Sequence, residues 1–134
     1  MRSVTESICP IAHDVLFSID GEDAVPGWVR DVGQVLRPAG MTLTCVASRG
    51  GSLDRVRLGG LAAAVVVAER RAYDGLSLLR TIRSISVELP CWLVTEAPSR
   101  VTLQTAMGLR GVGVVSSPVD ADALAAALRR LTEN

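Results

Sequence analysis

Short aliphatic runs alternate with amphipathic stretches along the whole chain, and this alternation predicts strands followed by helices. The longest apolar run, 61–68, contains only Leu, Ala and Val, which indicates a strand buried on both faces. The predicted strands span 15–19, 41–47, 61–68, 91–95 and 112–115. The predicted helices span 24–36, 52–58, 72–84, 98–109 and 121–131.

Local signals mark several of these boundaries. Pro38 and Gly40 follow the first helix, since proline cannot continue a helix and glycine suits the turn after it. The residues at 49–52 predict a turn, with Ser52 as the cap of the second helix. Asp120 is placed to cap the last helix.

Five strands alternating with five helices predict an α/β domain with a parallel sheet covered on both faces. The expected arrangement has three layers and the flavodoxin-like strand order 2-1-3-4-5. Residues 1–134 are expected to form this single domain, with 1–13 as an irregular N-terminal segment. Ligands of such sheets bind outside the carboxyl ends of the strands, near the switch between the first and third.

Composition excludes several functional classes. Fourteen basic and fourteen acidic residues cancel, which disfavours a nucleic-acid partner held by bulk charge. Two Trp, one Tyr and one Phe offer few surfaces for stacking bases or a flavin. The longest apolar run is too short to span a bilayer and the N-terminus lacks a signal-peptide pattern, so we expect no membrane partner.

The cysteines and the histidine suggest no metal chemistry. Three cysteines without CxxC spacing fit reduced thiols, and we expect a cytoplasmic location. The single His13 cannot build a histidine metal site and is expected on the solvent side, before the first strand.

The segment 61–83, LAAAVVVAERRAYDGLSLLRTIR, resembles response-regulator receiver domains, most closely over its tail DGLSLLRTIR. The resemblance extends from about Val15 to Leu131. In that family acidic residues follow the first strand, and the aspartate that accepts a phosphoryl group ends the third. Thr or Ser ends the fourth strand, and a Lys before a Pro ends the fifth. The acids hold a divalent cation, while the Lys and the hydroxyl contact the phosphoryl oxygens.

Three acidic residues stand where the resemblance implies a cation site. Asp20 ends the first predicted strand, and Glu22 and Asp23 follow at once. These carboxylates either bind magnesium or form a solvated turn in which Asp23 caps the next helix. We prefer the turn, because a metal site is less useful without the aspartate that it serves. Asp20 and Asp23 stay the candidates for a metal, and no metal or other cofactor is expected.

Two registers are possible at the end of the third strand. Counting back from Asp74 without a gap puts Val67 at the phosphoacceptor position, and a loop two residues shorter puts Glu69 there. We prefer Glu69, because this register keeps the valines of the strand buried. Glutamate is a poor acceptor, since its extra methylene displaces the carboxylate from in-line geometry. Glu69 could also imitate a fixed negative charge, or be a surface residue beside Arg70 and Arg71.

The remaining family positions are also altered. Thr95 matches the hydroxyl position, and the spacing from Thr95 to Pro118 follows the family without a gap. This alignment puts Ser117 at the lysine position and Val114 where an aromatic switch residue often stands. Losing the lysine removes the cation that stabilises a bound phosphoryl group. The phosphoryl site is therefore interpreted as degenerate.

We expect a phosphorylation-independent pseudo-receiver, not an enzyme, that acts in signal transduction or regulation through a protein partner. The resemblance implies a partner or homodimer surface on the fourth helix, fifth strand and fifth helix. Its expected members are Val101, Gln104, Val114, Arg129 and Arg130. The open alternatives are a regulator phosphorylated on Glu69 or near Asp20, a small-ligand-binding flavodoxin-like domain, and a domain excised from a larger protein.

Overall fold

A computed structural model describes residues 13–19, 25–68, 72–96 and 98–131, in which five parallel strands form one sheet. The strands are β1 (His13–Ile19), β2 (Met41–Val46), β3 (Leu61–Val67), β4 (Cys91–Glu96) and β5 (Val112–Ser117). The α-helices are α1 (Gly27–Leu36), α2 (Arg49–Leu58), α3 (Ala72–Ile85), α4 (Arg100–Met107) and α5 (Ala121–Arg130). A 3₁₀ turn, Arg37–Ala39, follows α1. The predicted order β2-β1-β3-β4-β5 and the five helices are confirmed.

Two helical layers cover the sheet. Helices α1 and α5 pack on one face around Phe17 and Val65, whereas α2, α3 and α4 pack on the other around Leu16 and Val66. Successive side chains of a strand point to opposite faces, so strands buried on both faces are apolar at every position. This explains the continuous aliphatic runs of the sequence.

Small side chains let α3 approach the sheet closely. A Cβ atom on Gly75 would lie 2.7 Å from Cδ1 of Leu93 and 2.8 Å from Cβ of Ala68. Contacts that short do not occur between carbon atoms, so only glycine fits at this crossing. The Asp74-Gly75 pair of the receiver-like segment therefore positions α3 against β3 and β4.

The start of α2 corrects a prediction. The helix begins within the predicted turn at 49–52, and the Ser48 hydroxyl caps it by accepting a hydrogen bond from the Gly51 N–H at 3.0 Å. Ser52, the predicted cap, is fully buried inside the helix. A Cβ on Gly51 would lie 2.9 Å from Cγ1 of Val46, so this glycine serves a close approach to β2 rather than a turn.

Other boundaries differ by a few residues. β1 begins at His13, which is half-buried and pairs with Met41, so His13 belongs to the strand rather than to an irregular segment. α1 begins at Gly27 rather than at 24, since Pro26 has an extended backbone. The Asp120 cap is confirmed, because its carboxylate accepts a backbone N–H at 3.1 Å in the first turn of α5.

None of the described helices combines the length and apolar character needed to cross a membrane.

Candidate functional site

The carboxyl ends of β1 and β3 meet at the edge where the fold places ligand chemistry. Ile19 and Val67, the last residues of these two strands, are register partners and are each 5% exposed. Val67 also pairs with Val94 of β4. The described strand ends at this point are therefore apolar and packed into the core.

The four predicted acids at this edge, Asp20, Glu22, Asp23 and Glu69, lie outside the described residues. Strand β3 ends at Val67, the position that the gapless count assigns to the phosphoacceptor. A valine side chain offers neither a nucleophile nor a metal ligand. Among the described residues, no cluster of three His, Cys, Asp or Glu side chains could hold a metal ion.

The two predicted hydroxyl residues lie at the ends of adjacent strands. Thr95 is 1% exposed near the end of β4, where it pairs with Ser116. Ser117 ends β5, is half-buried and pairs with Glu96, and the Ser117–Pro118 peptide bond is cis. The structure therefore places both residues at the carboxyl edge, as the alignment predicts, without a lysine at the end of β5.

A cavity of about 340 Å³ opens at the same edge, between the ends of β1 and β3 and the starts of α2 and α3. Its polar lining comes from Ser18, Ser48, Arg49 and Asp74. Sequence reasoning missed Arg49, because the glycines after it were interpreted as a turn. A guanidinium, two hydroxyls and a carboxylate around one cavity suit a small polar ligand rather than a metal.

Hydrogen bonds organise the wall of this cavity. The Arg49 guanidinium donates to Oγ1 of Thr81 at 3.1 Å and thereby links the start of α2 to α3. Ser18 and Ser52 form a buried hydroxyl pair at 2.7 Å, and Ser52 also donates to the backbone oxygen of Ser48 at 2.8 Å. These bonds satisfy polar groups that would otherwise be costly to bury.

The predicted partner surface is largely exposed. Val101 is 69% exposed on α4, and Gln104, Arg129 and Arg130 are also exposed. Val114 is half-buried and packs against the core beneath α2, α3 and α4, so it offers less surface than expected. Leu103 and Met107, which lie within the range 101–107 expected for this surface, add exposed apolar area to α4 at 39% and 80% exposure.

A polar cluster near the amino end of β1 was not anticipated. Arg55 of α2 donates to the Asp14 carboxylate at 2.7 Å, and the hydroxyls of Thr42 and Thr44 donate to it at 2.9 and 3.0 Å. Burial by itself raises the pKa of Asp14, but these hydrogen bonds and the Arg55 charge outweigh it and lower the pKa below its ordinary value.

A second arginine closes the loop between α3 and β4. The Arg83 guanidinium donates to the backbone oxygens of Ser86, Val87 and Leu89 at 3.0, 2.8 and 2.8 Å. Its Nη2 also lies 3.6 Å from Sγ of Cys91, and its buried Nε has no hydrogen-bond partner among the described residues. Burial raises the pKa of the Cys91 thiol to about 11, against the opposing charge of Arg83.

Several solved structures with the same architecture are receiver domains or response regulators. A receiver domain of an HD domain-containing protein from Pseudomonas fluorescens superposes with a TM-score of 0.73 at 21% identity, covering 92% of this chain and 89% of that one. A two-component response regulator from Clostridium difficile gives 0.71 at 15% identity, covering 89% and 94%. The chain has the receiver fold. The chemotaxis protein CheY4 of Vibrio cholerae agrees, with a TM-score of 0.69, 16% identity and coverage of 90% and 99%.

No family model and no curated protein matches the sequence, although solved structures match the fold. At identities of 15–21% the likeness establishes the receiver fold alone. The chemistry available at the carboxyl edge depends on the side chains that stand there.

Proposed function

We propose that this chain is a pseudo-receiver, a signal-transduction module with the receiver fold that binds protein partners without phosphorylation of an aspartate. The supporting observation is Val67, which ends β3, is 5% exposed and packs beside Ile19 and Val94. In the gapless register, the position that needs a solvated carboxylate therefore holds a core residue.

The physical chemistry of phosphoryl transfer supports this proposal. Transfer depends on a positioned nucleophile and on cations that stabilise the charge of the phosphoryl oxygens. Val67 provides no nucleophile, and Ser117 provides no cation at the end of β5. Full burial of a valine contributes about 1.5–3 kcal/mol to folding, so this position now serves stability.

Acetyl phosphate tests the absence of phosphorylation. The chain is incubated with acetyl phosphate and magnesium and weighed intact, beside an active receiver domain as positive control. We expect its mass to be unchanged. A stoichiometric gain of one phosphoryl group that disappears in Glu69→Gln would instead identify the chain as an unconventional regulator. A gain retained in that variant but lost in Asp20→Asn would place the phosphoryl group near Asp20.

We further propose that the surface of α4, β5 and α5 binds the partner, which is either another protein or a second copy of the chain. Its exposed members Val101, Gln104 and Arg130 support this assignment. Sedimentation velocity over a range of concentrations tests for a homodimer. Val101→Asp and Arg130→Glu should weaken self-association, whereas Arg80→Glu on the exposed side of α3 serves as the matched control. A monomer at every concentration leaves a different protein as the partner.

Small-ligand binding is a second candidate function, and the cavity lined by Ser18, Arg49 and Asp74 favours it. Native mass spectrometry of the purified chain would detect a co-purifying compound. Loss of that compound in Arg49→Gln, with Arg57→Gln unchanged, would support this function. The scarcity of aromatic residues argues against a flavin.

A further inference from the structure

A groove of about 530 Å³ lies at the amino ends of β4 and β5, opposite the edge that holds the receiver site. Its apolar lining comes from the ends of α4 and α5 and from the two strands. The lining side chains include Pro90, Trp92, Met107, Leu109 and Leu131. Met107 is 80% exposed and Leu131 is 38% exposed, so water covers apolar surface here.

The backbone of β5 borders this groove. β5 is the outermost strand of the described sheet, so one side of its backbone has no neighbouring strand. Gly113 lines the groove without a side chain, and a Cβ atom there would lie 3.1 Å from the indole Nε1 of Trp92. The indole ring of Trp92 therefore occupies the space of the missing side chain and lies beside the outer side of β5, where an extended segment could contact both.

Two arginines lie at the groove. Arg110 lines it, is exposed, and has no ion pair within the described part of the chain. Arg83 lies next to Gly111, another lining residue, because its Nη2 would be 3.3 Å from a Cβ at that position. Arg83 binds three backbone oxygens but, in the described residues, no carboxylate.

The sign of the local charge follows from simple addition. The carbonyl ends of α3, α4 and α5 point to this edge and together carry about 1.5 negative charges, at about half a charge for each helix. Glu88 adds one more negative charge in the loop before β4. Arg83, Arg110 and Arg130 supply three positive charges at the same end of the molecule, so the charges of the described residues leave a small positive balance there.

We propose that this groove docks a segment of a partner protein that carries carboxylates beside apolar side chains. This inference deepens the proposed partner-binding function and rests on it. Apolar side chains of the segment fill the space over Trp92 between Met107 and Leu131, and its carboxylates face Arg110. Charge complementarity with Arg110 selects an acidic segment, because no Asp or Glu of the described residues lines the groove.

Selection from a random-peptide phage library, followed by synthesis of the enriched peptides, tests this docking. We expect enrichment of Asp or Glu beside Leu, Ile, Phe or Met. Arg110→Glu and Met107→Asp should each weaken binding of these peptides at least tenfold. The bound peptide should shift the indole NMR signal of Trp92 and leave that of Trp28, the other tryptophan, in place.

Arg57 and Leu58 provide a matched control at the same edge. They end α2, and Leu58 is 80% exposed, like Met107. Arg57→Glu and Leu58→Asp should change peptide binding less than twofold. If the control variants weakened peptide binding as much as Arg110→Glu and Met107→Asp, the effect would come from net charge alone. That result would overturn the groove as the binding site.

The remaining outcomes separate the groove from the broader function. Peptides that bind without acidic enrichment, or that shift residues around Val101 instead of Trp92, overturn the groove and leave partner binding standing. A dimer that Met107→Asp dissociates identifies a second copy as the occupant and overturns the acidic segment. Failure to enrich any peptide overturns the groove, whereas the phosphorylation test stands independently of all these results.

Discussion

The strands carry different kinds of side chain at the two edges of the sheet. At the carboxyl edge, the described ends of β1 and β3 are Ile19 and Val67, both buried in the core. At the amino edge, Asp14 pairs with Arg55 and Arg83 binds three backbone oxygens. Chemistry in parallel α/β sheets belongs to the carboxyl edge. The contrast teaches that the receiver fold persists here with apolar strand ends at the carboxyl edge, where the charged groups Arg49 and Asp74 come from helices, whereas at the amino edge Asp14 stands on a strand.

The two edges are also stabilised differently. The carboxyl edge depends on close packing, with Gly75 against β3 and β4 and Gly51 against β2. The amino edge depends on hydrogen bonds from charged donors, which contribute more than neutral ones. Substitutions that add side-chain volume should therefore destabilise the carboxyl edge. Substitutions that remove a charged donor should destabilise the amino edge.

The largest expected effect concerns the reactivity of Cys91 at the amino edge. Its pKa of about 11, raised by burial, leaves more than about a hundredfold less thiolate at pH 8 than an ordinary cysteine has. Alkylation by iodoacetamide, followed by peptide mass mapping, should be slower by at least that factor in the folded chain than in urea. The exposed Cys45 serves as internal control. Comparable rates at Cys91 in both states would mean that this edge opens readily.

Removal of the Arg83 side chain should destabilise the amino edge most among single substitutions there. Arg83→Ala leaves three backbone oxygens without their charged donor, at a cost of about 2–3 kcal/mol. Urea unfolding measures the change. Arg80→Ala, on the exposed side of the same helix, should change the free energy of unfolding by less than about 0.5 kcal/mol. Similar values for the two variants would refute the role of the hydrogen bonds.

A single methyl group tests the packing of the carboxyl edge. Gly75→Ala would place its Cβ 2.7 Å from Cδ1 of Leu93, and the repacking should cost about 1–3 kcal/mol. Gly50→Ala is the control, since no atom lies within 4 Å of its Cβ position. Thermal and urea unfolding should show loss of stability in the first variant only. A stable Gly75→Ala variant would show that α3 can move away from the sheet without penalty.

The smallest effect is the pH dependence contributed by Asp14. Its pKa is lowered in the folded chain, so the carboxylate stabilises the fold above its ordinary pKa near 3.8, and this contribution is lost as pH falls through the lower, folded value. Asp14→Asn should lower stability at pH 7 by about 1 kcal/mol and flatten the decline toward acid. Urea unfolding from pH 7 to pH 3 measures both, and parallel curves for the two proteins would contradict this assignment.

Most of the fold could be predicted because β3 is an uninterrupted aliphatic run and because short apolar segments alternate with amphipathic ones on both sides of it. The Asp120 cap was also predictable, since an Asp directly before a helix commonly accepts a hydrogen bond from a backbone N–H of the first turn. The start of α2 was not, because a glycine pair suits both a turn and the first turn of a helix. The contact of Gly51 with Val46 decides between them, and only the folded chain supplies it.

The candidate site was less predictable than the fold. Asp14 and Arg55 are 41 residues apart, and no motif joins them. Arg83 looks like an ordinary solvated residue of an amphipathic helix, because its partners are backbone oxygens that any sequence could offer. The preferred assignment of Glu69 stays a prediction, while the end of β3 falls at Val67.

The Ser18–Ser52 hydroxyl pair has a mechanical consequence for α2. The two oxygens lie 2.7 Å apart, with Ser18 6% exposed and Ser52 fully buried. A small slide of the helix along β1 would break this bond and leave two largely buried polar atoms without their partner. Displaced positions of α2 therefore cost free energy, and the helix is held at one position along β1.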